Sequence, residues 1–169
     1  MNRQTIIILD FGSQYTQLIA RRIRENRVFS KILPFDTPAK DMASLSPKGI
    51  ILSGSPASAL KKKSPHPDKA IFKLKIPVLG ICYGMQVITE MFGGKVRETR
   101  DREYGKTELF IDDNRDLFSR LPGNLTCWAS HGDYVKKIPS GFHISAHTTN
   151  TPIAAITHRK ARIFAVQFH

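Results

Sequence analysis

The sequence has few cysteines and no long apolar run. Its 169 residues include two cysteines, Cys82 and Cys127, whose separation matches neither a CxxC zinc motif nor a disulfide framework. This sparse use of cysteine fits a reducing compartment, and we expect a cytoplasmic protein. No apolar run approaches the roughly 20 residues that a membrane-spanning helix needs, so we expect no association with a membrane.

Acidic residues are also scarce, with 14 against 26 lysines and arginines, which gives a formal net charge of +12. A basic chain can bind nucleic acid, but binding modules of that kind usually concentrate charge on one face and place aromatic residues among the charges. Here the basic clusters are scattered, at positions 21–27, 61–63, 136–137 and 159–162. We therefore favour solvated surfaces or an acidic partner, and nucleic-acid binding is the less favoured alternative.

Buried strands alternate with helical segments in the first 95 residues. The run 5–9 is apolar and β-branched, as in a strand buried on both faces of a parallel sheet. Helical spacing begins after Ser13, which is the predicted N-cap. Further strands are predicted at 28–33, 49–52 and 77–81, and further helices at 68–74 and 83–92. The alternation predicts an α/β fold with an open, mostly parallel sheet flanked by helices.

The second half of the sequence consists of short β-rich segments. Strands are predicted at 107–111, 125–128, 134–138, 143–147, 153–157 and 163–168, with turns at 122–123 and 139–141. We interpret them as an antiparallel or mixed extension of the same sheet. The sequence has no internal repeat and no linker, so residues 1–169 are predicted to form a single domain.

The segment Gly80-Ile81-Cys82-Tyr83-Gly84 places a cysteine where an apolar strand ends and a helix begins. This arrangement is typical of a nucleophile elbow, in which flanking glycines permit a crowded turn that lifts the side chain above the sheet. The N-terminus of the following helix also favours a thiolate. A small cysteine buried in the core is the equally weighted alternative, because that is the common fate of a lone cysteine.

A cysteine nucleophile needs a general base, which is usually a histidine. His143 and His147 are four residues apart, but on a predicted strand they stand roughly 13 Å apart, which argues against a zinc pair. His131 and His169 are the better candidates for the base. His169 follows a predicted strand, and active sites of open α/β sheets lie at the carboxyl ends of the strands. The alternative is that His169 is simply the last residue of the chain.

Five segments carry a resemblance to a known family. They are residues 8–22 (ILDFGSQYTQLIARR), 49–56 (GIILSGSP), 80–86 (GICYGMQ), 130–133 (SHGD) and 166–169 (VQFH). Together they closely resemble the class I glutamine amidotransferases, and the first and fourth segments resemble the GMP synthetase branch of that family. The resemblance covers essentially the whole chain.

The resemblance implies that the chain hydrolyses glutamine to glutamate and ammonia. Cys82 would attack the side-chain carboxamide carbon to form a thioester, and His169 would transfer the protons. Backbone N–H groups of Ser55 and Tyr83 would hold the oxyanion. The positions that would grip the amino-acid end of the substrate are Gln86, Ser130, Gly132 and Asp133.

Two departures from the family pattern bear on activity. Ser55 stands where the family usually has glycine, and a serine is strained there by about 1 to 3 kcal/mol if the position needs positive φ. The chain ends at His169, where the family continues with a proline, a glutamate that orients the imidazole, and a closing helix. Disabling the corresponding carboxylate in a serine protease lowers turnover on the order of 10⁴-fold. A truncated, catalytically silent domain that acts only as an interaction module is therefore the alternative function.

The sequence has neither a GxxxxGKS/T phosphate loop nor an SGGxDS-like loop for adenylating a nucleotide. We expect no metal and no cofactor in this chain. ATP and Mg²⁺ are expected only in a partner, the ATP-pyrophosphatase domain or subunit of a GMP synthetase, which would use the ammonia to aminate XMP to GMP. The arginines at positions 21–27 are candidates for contact with an acidic surface of that partner.

Overall fold

The computed structural model describes residues 4–169, with all of their side chains except those of residues 99–103. The strands of the described chain are β1 Thr5–Asp10, β2 Phe29–Pro34, β3 Gly49–Leu52, β4 Val78–Ile81, β5 Lys95–Ile111, β6 Asn124–Lys137, β7 His143–Thr148, β8 Ala155–His158 and β9 Ile163–Val166. The helices are α1 Thr16–Glu25, α2 Ala39–Ser44 and α3 Tyr83–Met91, with 3-10 turns at Lys69–Lys73 and Asp116–Phe118. These strands form a single mixed sheet in the order β2-β1-β3-β4-β9-β8-β7-β5-β6.

The first half of the sheet is parallel and runs from β2 through β1, β3 and β4 to β9. Its central strands are short, apolar runs, and Ile7, Leu9 and Leu52 are fully buried. These side chains belong to one core cluster with Met85 and Ile88 of α3. The predicted α/β fold with a mostly parallel sheet is confirmed.

The parallel strands end at the same edge of the sheet. Leu9 pairs with Leu52, Leu52 with Gly80, and Ile81 with Val166. Because the register aligns these strand ends, the segments that follow β1, β3, β4 and β9 emerge side by side. In an open α/β sheet this edge is where ligands bind.

The second half of the sheet is antiparallel, as predicted, and runs from β9 through β8, β7 and β5 to β6. A second core cluster fills it, with Leu109, Phe118, Ala146 and Val166. No helix among the described residues is long and apolar enough to cross a membrane.

Strand β6 corrects the prediction of two short strands at 125–128 and 134–138. One continuous strand, Asn124–Lys137, pairs along most of its length with β5. The predicted strand 107–111 is likewise only the end of the longer β5. The polar segment 130–133 interrupts the apolar alternation of the sequence and therefore has the pattern of a turn, although its backbone is extended.

Two helix predictions also differ from the structure. The helix predicted at 68–74 is a 3-10 turn, Lys69–Lys73, and the first helix begins later than its predicted cap. Helix α1 begins at Thr16 with Tyr15 as the N-cap residue, so Ser13 is not the cap. The Ser13 hydroxyl instead accepts a hydrogen bond from the Tyr15 backbone N–H at 3.0 Å, within the turn that precedes the helix. Helix α2 was not predicted, because six residues are too few to show helical periodicity; its Ala39 N–H donates to the Asp68 carboxylate at 2.9 Å.

Candidate active site

Cys82 lies at a strained turn between β4 and α3. Its backbone has φ 53° and ψ −107°, a conformation that side chains disfavour. The flanking glycines are required by close packing. A Cβ at Gly80 would lie 2.6 Å from the backbone of Gly84, and a Cβ at Gly84 would lie 2.5 Å from the Leu52 carbonyl oxygen. The local geometry is that of a nucleophile elbow.

The Cys82 thiol is hydrogen-bonded to the segment that carries His169. The backbone N–H of Cys82 donates to the Val166 carbonyl at 2.8 Å, and the thiol Sγ donates to the Gln167 carbonyl at 3.1 Å. Burial raises the pKa of the thiol to about 12, which opposes the thiolate expected from the helix N-terminus. The residue is nevertheless only partly buried, unlike a core cysteine.

His169 lies three residues beyond the end of β9 and is held by β6. Its N–H donates to the Trp128 carbonyl at 3.0 Å, and its carbonyl accepts from the Trp128 N–H at 2.8 Å. The imidazole packs against the ring of Tyr15, with 4.8 Å between the ring centres. Desolvation lowers the pKa of the imidazole below its ordinary value of 6.5, so the ring is neutral at pH 7.

The loop after β3 lies beside the elbow. A Cβ added at Gly54 would lie 3.8 Å from the Cβ of Cys82, so the loop backbone approaches the cysteine closely. Ser53 Oγ accepts a hydrogen bond from the Phe11 N–H at 3.0 Å, which ties this loop to the one after β1. Ser55 is not among the described residues with positive φ, so the strain considered for a serine at this position is absent.

Gln86 connects α3 with β6 and with the segment after β9. Its Nε2 donates to the Asp133 carbonyl at 3.2 Å and to Gln167 Oε1 at 3.4 Å. Gln86 and Gln167 are both buried, whereas Asp133 is partly exposed. The amide of Gln86 is therefore fixed between the backbone of β6 and the side chain of Gln167.

One open cavity of about 1480 Å³ lies over these segments. It brings together every site residue proposed from the sequence, namely Ser55, Cys82, Tyr83, Gln86, Ser130, Gly132, Asp133 and His169. The cavity wall combines a thiol, a neutral imidazole and the carboxylate of Asp133. Tyr83 opens α3, and N–H groups in the first turn of a helix have no carbonyl partner within that helix.

Three further residues of the site were not found from the sequence. Ser58 Oγ donates to Asp133 Oδ2 at 2.6 Å, across 75 positions of the chain. The Gln167 carbonyl accepts the thiol proton, and Tyr15 packs against His169. The position of Gln167, two residues before His169, is the one signal that could have pointed to any of them. The other two contacts join distant segments and leave no local pattern.

The two histidines of β7 lie apart from this cavity. His143 Nε2 is 2.9 Å from Asp113 Oδ2, and His147 Nδ1 is 2.9 Å from Asp112 Oδ2. Each ring is thus paired with its own carboxylate. Within the part of the chain that the structure describes, no group of three or more histidines, cysteines and carboxylates is arranged to hold a metal ion.

Comparison with known proteins agrees with this geometry. Residues 7–169 match the family model described as glutamine amidotransferase class-I. Glutamine-hydrolyzing GMP synthases of Nostoc sp. and Gloeothece citriformis are 51% and 52% identical to the chain over 169 residues, which is all of the chain and 31% of each relative. The chain thus spans about a third of the length of these curated relatives.

Solved structures show the same architecture. A protein from Thermoplasma acidophilum described as a putative GMP synthase subunit superposes with a TM-score of 0.82 at 27% identity, covering 99% of this chain and 84% of that one. A glutamine amidotransferase from Thermotoga maritima has a TM-score of 0.74 at 19% identity, over 100% of this chain and 76% of that one, and shows the fold alone. With an elbow cysteine, a cavity shared with His169 and a family match over residues 7–169, the chain belongs to the class I glutamine amidotransferase family.

Proposed function

We propose that this chain hydrolyses glutamine to glutamate and ammonia, with Cys82 as the nucleophile. The observation that carries the proposal is the position of Cys82 at a strained backbone turn. Its thiol is hydrogen-bonded to the segment that bears His169, and both residues line the same cavity. The match to the glutamine amidotransferase family supports the side-chain amide of glutamine as the substrate. In the reaction, Sγ forms a bond to the carboxamide carbon and the carbon–nitrogen bond breaks.

His169 moves the protons in this proposal. The thiol and the imidazole are both neutral at pH 7, since burial raises the pKa of Cys82 to about 12 and desolvation lowers that of His169. The imidazole therefore accepts the thiol proton as sulfur attacks, and it gives that proton to the departing ammonia. It then takes a proton from water, which opens the thioester and releases glutamate and the free thiol.

The negative oxygen of the tetrahedral intermediate is assigned to two backbone donors. The N–H of Tyr83 lies at the start of α3, where the helix dipole also favours negative charge. The N–H of Ser55 lies in the loop that packs against Cys82. Removing one donor of such a pair typically costs on the order of 10² to 10³ in turnover.

The amino-acid end of glutamine is assigned to the wall formed by α3 and β6. The carboxylate of Asp133 matches the charge of the α-ammonium group, and a charge-assisted hydrogen bond there is stronger than a neutral one. Gln86, Ser130 and Gly132 line the same wall. No metal or cofactor has a role in this scheme.

The ammonia is proposed to leave for a synthetase that aminates XMP to GMP. The relatives named glutamine-hydrolyzing GMP synthase are about three times as long as the stretch they share with this chain, which supports a synthetase as the partner. ATP and Mg²⁺ belong to that partner in this scheme. Arg21 and Arg22 are highly exposed on α1, although both are paired with Glu25. They are candidates for contact with the synthetase partner.

The proposal is tested with a glutamine-mimicking electrophile, 6-diazo-5-oxo-L-norleucine. We expect one covalent adduct on Cys82 by peptide mass spectrometry and release of ammonia from glutamine. The Cys82→Ala variant serves as the control and should show neither. Absence of labelling in the wild-type chain, or an adduct on Cys127 instead, would contradict the assignment.

A further inference from the structure

Ser58 is joined to the substrate-binding wall by a short hydrogen bond. Its Oγ donates to Asp133 Oδ2 at 2.6 Å, and both residues line the cavity. The same hydroxyl accepts from the Leu60 N–H at 3.3 Å, so its orientation is fixed from both sides. Hydrogen bonds to an ionised carboxylate are roughly twice as strong as neutral ones.

The bond joins two parts of the site that are distant in sequence. Ser58 follows Ser55 by three residues in the loop after β3, whereas Asp133 lies on β6. This loop is stiffened by the Ala57 N–H, which donates to Ser55 Oγ at 3.1 Å. The contact therefore fixes the distance between the proposed oxyanion donor and the proposed anchor for the substrate's amino group.

Asp133 is held at its backbone as well as at its side chain. Its carbonyl accepts from Gln86 Nε2 at 3.2 Å, while its Oδ2 accepts from Ser58. Among the described residues none donates to the second carboxylate oxygen, Oδ1, and Asp133 lines the cavity. Because the carbonyl and Oδ2 of Asp133 are both held by hydrogen bonds, the carboxylate is fixed in one orientation.

The geometry points to Ser58 as a positioning residue that sets the specificity of the site for an α-amino acid amide. Ser58 fixes the Asp133 carboxylate so that Oδ1 faces the α-ammonium group of glutamine. This inference rests on the proposed glutaminase function. It predicts that loss of the hydroxyl weakens binding of the substrate and leaves the chemistry of the thiol unchanged.

The test measures inactivation of the 169-residue chain by 6-diazo-5-oxo-L-norleucine, which separates binding (KI) from the covalent step (kinact). We expect Ser58→Ala to raise KI roughly 10-fold, as for the loss of one charge-assisted hydrogen bond, with kinact within about twofold. Ser58→Thr retains the hydroxyl and should have a KI near that of the wild type. Ser44→Ala is the matched control, since Ser44 Oγ makes an equally short bond of 2.6 Å to the Asp41 carbonyl in α2.

A double-mutant cycle with Asp133→Ala isolates the contact. If Ser58 acts through Asp133, Ser58→Ala should leave KI unchanged in the Asp133→Ala background, and alkylation by iodoacetamide should be the same in all variants. An unchanged KI in Ser58→Ala, or an equal increase with Asp133 already removed, would overturn the inference while the glutaminase proposal stands. Failure of the electrophile to label wild-type Cys82 would overturn both.

Discussion

The thiol of Cys82 donates to the backbone carbonyl of Gln167 at 3.1 Å, two residues before His169. The contact places the cysteine and the segment bearing the histidine in one hydrogen-bonded unit, reinforced by the 2.8 Å bond from the Cys82 N–H to Val166. It also favours the protonated thiol, because a carbonyl accepts from S–H and repels a thiolate. In the resting site the Cys82 thiol and the His169 imidazole are therefore both neutral.

The reactivity of Cys82 should depend steeply on pH. Because burial raises its pKa to about 12, the thiolate fraction is small at pH 7 and increases about tenfold for each unit of pH. We expect the rate of alkylation by iodoacetamide to keep rising up to pH 10, measured by mass spectrometry with Cys82→Ala as the blank. A plateau near pH 8.5 would show an ordinary, unperturbed thiol.

The chain should still hydrolyse glutamine at pH values below 7. His169 acts as a base only when it is neutral, and its pKa lies below the ordinary 6.5. The acid limb of kcat/KM should therefore have its midpoint below pH 6.5. A midpoint above pH 7 would contradict the assignment of His169 as the base.

The strain at Cys82 should be measurable as stability. Glycine adopts the observed φ of 53° without penalty, whereas alanine keeps the Cβ that makes this conformation unfavourable. We expect Cys82→Gly to exceed Cys82→Ala by about 1 to 2 kcal/mol in free energy of unfolding, measured by urea denaturation. Both variants lack the sulfur and should be inactive. Equal stabilities would argue against a strained elbow.

The glycines of the elbow should tolerate no side chain. A Cβ at Gly80 meets the Gly84 backbone at 2.6 Å, and one at Gly84 meets Leu52 at 2.5 Å. Alanine at either position should lower the free energy of unfolding by about 1 to 3 kcal/mol and reduce labelling of Cys82. Gly123 is the control, because a Cβ there has nothing within 4 Å and Gly123→Ala should change stability by less than about 0.5 kcal/mol. A neutral effect at Gly80 would contradict the packing.

The ring of Tyr15 should orient the imidazole. Their ring centres are 4.8 Å apart, and small misplacements of a catalytic group can cost on the order of 10²-fold in rate. We expect Tyr15→Ala to lower kcat for glutamine by about tenfold with little change in KM, whereas Tyr15→Phe keeps the ring and retains activity. A change confined to KM would indicate that Tyr15 contacts the substrate instead.

The sequence predicted those parts of the site that depend on local chain geometry. The elbow was predictable because the Gly-x-Cys-x-Gly spacing and the strand-to-helix change lie within a few residues. The alternation of the first half was predictable for the same reason, although the Ser13 cap was wrong because the Ser13 hydroxyl stabilises the preceding turn. The pairing of Ser58 with Asp133 depends on how the loop after β3 packs against β6 and has no local signature.

The long strand β6 shows a second reason why the sequence could not predict the whole site. Its polar residues at 130–133 line the cavity, so the sequence there lacks the alternation of apolar and polar residues that indicates a strand packed on a core. The backbone pairing of His169 with Trp128 was equally inaccessible, because it joins an edge strand to the segment after β9.

Strand β6 carries both Trp128, which holds the backbone of His169, and Asp133, which receives the Ser58 hydroxyl. A bend or shift of β6 would displace the proposed proton-transfer residue and the proposed substrate anchor together. Its hairpin with β5 exposes the aromatic rings of Tyr104 and Trp128. A force that moves this hairpin would therefore disturb the proposed proton transfer and the proposed binding of the substrate at the same time, because one strand supports both.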